Sequence, residues 1–87
     1  MHEASLIAAM MTRIERLASA ENARRVTGVT VWLGALSHMS EAHFMEHFRE
    51  AAADTIAEGA ALAVTVSNDI HHPNAQDVVI ESVEVES

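Results

Sequence analysis

The stretch RRVTGVTVWLGALS, residues 24–37, constrains the fold more than any other. Val29, Val31 and Leu33 alternate with Gly28, Thr30 and Trp32, the two-residue period of a half-buried strand running from about Arg25 to Gly34. Such a strand needs neighbours along its edges and apolar cover on one face. The flanking sequence supplies the cover. From Glu3 to about Ser19 the apolar residues Leu6, Met10, Ile14 and Leu17, flanked by Ile7, Met11 and Ala18, recur at helical spacing. Arg13, Glu15 and Arg16 fall on the wet side, and Glu21 and Asn22 end the helix.

SEAHFMEHFREAAADTIAEG, residues 40–59, predicts a second helix. Ser40 is its N-cap, Glu41 suits the positive end of the dipole, and Gly59 is its C-terminal stop. Phe44, Phe48, Ala51, Ala52, Thr55 and Ile56 form the inner face. His43, Glu46, His47 and Glu50 form the polar face.

AALAVTVS predicts a short strand with Leu62, Val64 and Val66 on one side. SNDIHHPNAQD, residues 67–77, is a turn-rich connection. VVIESVEVES is a last strand of imperfect alternation: Val79, Val83 and Val85 share a face with Glu81, while Val78 and Ile80 lie on the other. Its glutamates suit an edge strand kept from pairing with other chains. The element order α-β-α-β-β predicts an α+β fold, a three-stranded sheet with two helices packed on one face, forming a single domain over residues 1–87.

Composition narrows the function. The chain contains no cysteine, so disulfides, thiolate metal sites and cysteine nucleophiles are excluded. Its formal net charge is -8, with arginine as its only strong base, which is poor equipment for neutralising phosphates. A cation or a basic protein surface is the better partner, and nucleic acid is not expected. No stretch approaches the roughly 20 apolar residues of a membrane span, and the N-terminus lacks the basic and apolar regions of a signal peptide, so a cytoplasmic protein without membrane partners is expected. No phosphate-binding glycine loop and no strained nucleophile turn is present, and an enzyme is not expected. Met10, Met11, Met39 and Met45 read as core filler.

Three segments carry a resemblance. MHE at the start with an amphipathic helix behind it, then RVTGVTVWLGALS, then a terminal ESVEVE resemble the hydrogenase nickel-incorporation proteins, the HypA/HybF family of nickel metallochaperones. The resemblance runs from Met1 to about Val66 and again from about Val79 to Glu86. It implies a nickel domain of two helices and a three-stranded sheet, Ni(2+) binding through the MHE segment, and delivery to the large subunit of a [NiFe]-hydrogenase with the help of a maturation GTPase. It also implies a zinc domain with two CxxC motifs between the last two strands. Here that position holds only the connection 67–77, so no zinc is expected.

The opening residues suit the implied chemistry. A free α-amine, the amide nitrogen and imidazole of His2, and the amide nitrogen of Glu3 can surround one ion in fused chelate rings. Nickel(II) and copper(II) accept planar nitrogen sites, whereas zinc prefers a tetrahedron. An amine with a free pKa of about 8 gives up its proton readily to a metal. The expected metal residues are therefore Met1, His2 and Glu3. His43 and His47, four apart on one helix face, have the spacing to share a metal but no third ligand beside them. Asp69, His71 and His72 cluster in the connection, and the fold that the resemblance implies brings the start of the second helix near the nickel segment, which makes His38 and Glu41 outer contributors. The alternative function is a protein-interaction module or fixed subunit of a hydrogenase complex that delivers no metal. A homodimer stays open.

Overall fold

In the computed structural model, which describes residues 3–87, the elements follow the expected order. They are α1 (Glu3–Ala20), β1 (Arg25–Leu33), α2 (Glu41–Ala52), β2 (Ala61–Val66) and β3 (Val78–Glu86). The sheet is ordered β2-β1-β3. β1 is thus the central strand, parallel to β2 and antiparallel to β3.

Both helices pack on one face of this sheet, α1 chiefly against α2 and β3, α2 against α1 and β2. The core between them consists of Ile7, Met10, Met11, Ile14 and Ala18 of α1, Phe44, Phe48 and Ala52 of α2, and Val26, Val29, Val31 and Leu33 of β1. The rings of Phe44 and Phe48 stack 6.1 Å apart at the centre. Fully burying one such ring contributes roughly 1.5–3 kcal/mol.

The buried stripe of α1 is rotated from the expected one. Ile7, Met11 and Ala18 lie at its centre, and Leu17 is 45% exposed. Two apolar ridges compete on this helix, and the sheet selects the one that includes Ala18, whose small side chain permits close approach where the chain turns toward β1.

α2 starts as expected. The backbone N–H of His43 donates to the Ser40 hydroxyl oxygen at 3.2 Å, occupying one of the orphan donors of the first turn. It ends earlier than expected, at Ala52 rather than at Gly59. Asp54 takes φ 64°, and the Thr55 hydroxyl donates to the Ala52 carbonyl at 2.7 Å while accepting from the Ala57 N–H at 3.0 Å. A short aspartate tolerates the left-handed region, so the helix unwinds into turns at that point. Gly59, at φ 79°, ends the turns instead.

The broken alternation of β3 has a physical cause. Val31 pairs with Ile80 and Thr30 with Ser82, leaving Glu81 as an extra residue in the ladder. This bulge returns Val83 and Val85 to the helix-covered face, with Val78 and Ile80. The expected division of those four residues between two faces is therefore wrong. A second bulge at Thr27 in β1, between the Val26–Val85 and Gly28–Glu84 pairs, keeps Val26 on the core face with Val29.

Gly34 follows β1 where two loops meet. Its N–H donates to the Asp77 carbonyl at 2.9 Å, and the Leu36 N–H donates to the Ala75 carbonyl at 2.7 Å. A Cβ on Gly34 would lie 2.6 Å from the carbonyl carbon of Ala75, a backbone atom with little room to move. Glycine is required here by close approach.

Candidate metal centre

Met1 and His2 lie outside the described residues, and Glu3 enters only as the first residue of α1. The expected metal residues therefore immediately precede, and open, an 18-residue helix whose buried stripe begins at Ile7.

Beside the first turns of α1 runs an open groove of about 780 Å³. Leu6, Ala9 and Arg13 form one wall, Ser37, His38 and Met39 a second, and Asp77 through Ile80 a third. The groove exists because the Gly34 contact holds the turn after β1 against the connection before β3, leaving a gap along α1. His38, at φ 60°, is exposed on the wall opposite α1. It is the one outer contributor that shares the groove with the start of α1. Glu41 opens α2 and does not line it. Arg13, assigned by sequence to the wet side of α1, borders the same groove with Asp77 across from it. No periodicity announces this gap, because its three walls come from segments far apart in sequence.

The other histidine clusters make local contacts. In the connection, Asp69 Oδ1 accepts from the His71 N–H at 2.9 Å, and His72 Nδ1 accepts from the Asn74 N–H at 2.9 Å. The His72 ring also lies against Trp32, with centroids 4.8 Å apart. On α2, the rings of His43 and His47 are 6.5 Å apart, and His47 Nδ1 lies 3.6 Å from Glu50 Oε1. Among the described residues, no group of three or more histidines, aspartates and glutamates is arranged to hold a metal ion. Also among them, no helix is long and apolar enough to cross a membrane.

The elements and the groove define a small mixed-sheet α+β domain with two helices on one face, and solved structures share that fold. The solution structure of the Ni metallochaperone HypA from Helicobacter pylori matches with a TM-score of 0.83 at 19% identity, covering 100% of this chain and 99% of that one. A second solution structure, of a HypA protein, matches with a TM-score of 0.76 at 18% identity, covering 97% of this chain and 95% of the other. No curated protein matches the chain. The chain belongs to the HypA family, whose model, described as hydrogenase/urease nickel incorporation, metallochaperone, matches residues 1–72.

Proposed function

We propose that the chain is a nickel metallochaperone that binds Ni(II) through Met1, His2 and Glu3 and delivers it to the large subunit of a [NiFe]-hydrogenase in the cytoplasm. The observation that carries this reading is the family match over residues 1–72, which begins at the methionine, histidine and glutamate themselves. The ligands would be the α-amine of Met1, the amide nitrogen and imidazole of His2, and the amide nitrogen of Glu3, a nitrogen-rich set suited to nickel cargo. Binding releases protons from the amine and amides, so affinity rises with pH. A client ligand that displaces the imidazole opens the chelate and takes the ion. The maturation GTPase is the accessory partner.

Residues 1–87 act as one nickel-domain unit, with the connection 67–77 standing where the family carries a zinc domain. A chain without cysteine cannot build a thiolate zinc site there. That observation also favours a second reading, in which the domain is a permanent docking subunit of a hydrogenase complex without metal delivery.

The test is a calorimetric and optical titration of Ni(II) into protein with its authentic N-terminus, beside His2→Ala and a form extended by one N-terminal glycine. The expected result is a one-to-one nickel absorption signal from the authentic form alone, with affinity weakened by about tenfold or more in the other two. Equal behaviour of all three forms removes the opening residues as the site and leaves the docking-subunit reading.

A further inference from the structure

The order β2-β1-β3 leaves the sheet with two free margins, and they are built differently. The β3 margin carries Glu81, Glu84 and Glu86 and a bulge at Glu81. Charges and a bulge on an edge prevent other strands from adding to it. β2, ALAVTV, has neither: it contains no charge, no proline, no glycine and no bulge. Ala61, Ala63 and Thr65 are exposed and small enough for another backbone to approach. Leu62 and Val64 point toward the helices yet stay only half-buried, and Val66 is 46% exposed. In a parallel pair, alternate residues direct both N–H and C=O away from the neighbouring strand. Among the described residues, no hydrogen bond to the outward side of β2 exists.

Charge selects the occupant. Glu58 stands just before β2 and Asp69 just after it, both exposed, with Asp54 in the preceding turn. Two arginines at the start of the central strand bond toward β3 instead: Arg25 pairs with Glu86 at 2.8 Å, and Arg24 bonds the Ser87 carbonyl at 3.1 Å. Arg49, in the last turn of α2, is the one arginine on the helix packed beside β2. A second copy of this chain fits poorly. Antiparallel pairing with Ala61 opposite Val66 of a second copy brings Glu58 opposite Asp69 at both ends of the ladder, between two molecules of net charge -8.

We propose that the free edge of β2 receives an extended strand of a protein partner, with a short uncharged centre of alternating apolar residues and basic residues at both ends. Main-chain hydrogen bonds to the outward groups of β2 supply the affinity. The guest's apolar side chains cover Leu62 and Val64, and its cationic ends meet Glu58 and Asp69. This surface is independent of the nickel reading, since neither the guest nor its edge involves residues 1–3.

The probe is a capped synthetic peptide, Arg-Arg-Val-Thr-Val-Thr-Val-Arg-Arg, added to the full chain while amide hydrogen exchange is followed by NMR. The expected result is slowing by about tenfold or more at the outward-facing amides of β2, with those of β3 unchanged. The same peptide with glutamate in place of every arginine should not bind. The double substitution Glu58→Gln with Asp69→Asn should weaken binding by about fivefold at low salt, a difference that shrinks as salt screens both ends. Both substitutions keep a side-chain acceptor on the surface and leave the fold intact. Three results overturn the proposal. One is protection at β3 or in the α1 groove instead of β2. Another is equal binding of the glutamate peptide. The third is slowing of β2 exchange by raising protein concentration alone, which would assign the edge to a second copy.

Discussion

The two helices lie on the same sheet face, but they are held there by different means. α2 begins with a hydroxyl cap at Ser40, carries Glu41 in its first turn and Arg49 in its last, and anchors itself with two stacked phenylalanines. Its local signals and its burial agree. α1 opens on Glu3 with no serine, threonine, aspartate or asparagine ahead of it, and has no basic residue in its last turn. It is held by burial of Ile7, Met10, Met11, Ile14 and Ala18 against the sheet and α2. One helix thus carries its own start signal, and the other rests on burial.

Substitutions can break that contrast, and the largest effect belongs to the ring anchor. Phe44→Ala should cost about 3–5 kcal/mol in chemical denaturation, enough to unfold much of a small domain at moderate temperature. Removal of the cap comes next. Ser40→Ala should cost about 1 kcal/mol by the same measurement, with amide exchange rising first at the start of α2. Leu17→Ala should cost no more than about 0.5 kcal/mol, because the side chain is already 45% exposed. A larger loss would mean that α1 is seated differently. Smallest of all, His2→Ala should leave the denaturation midpoint unchanged while weakening nickel binding by about tenfold or more. If it destabilises the apo-protein as much as Ser40→Ala does, the start of α1 is a structural cap after all.

Most of the fold was legible in the sequence because periodicity survives wherever an element keeps one face to the core. The strand from Arg25, the N-cap at Ser40 and the element order all follow from residue spacing. What was not legible arises from competition between local options. α1 offers two apolar ridges, and only the sheet decides that Leu17 stays in water. At the end of α2, glycine is the stronger stop signal, yet Asp54 takes the left-handed position first and the Thr55 hydroxyl bridges the turn. In β3 a two-residue period breaks at Glu81, and counting alone cannot tell a bulge from a change of face. The groove beside α1 had no signal at all, because its lining residues Arg13, His38 and Asp77 come from three separate segments of the chain. The metal-site expectation at positions 1–3 rests on donor types and the family resemblance, and Met1 and His2 lie outside the described residues.

The central strand also sets the order in which the molecule can assemble. β1 finds its parallel neighbour β2 after one helix, but its antiparallel neighbour β3 follows every other element, and the Arg25–Glu86 contact joins residues 61 positions apart. Closing a chain segment of that length costs on the order of 3–4 kcal/mol before any contact repays it. Until it closes, α1 has no strand beneath its outer flank, and β1 has an open edge on that side. Folding should therefore wait on the last strand, making the arrival of Val78–Glu86 the slow step. On the ribosome β3 emerges after the four other elements, so the sheet cannot be completed until the strand that closes it has been synthesised.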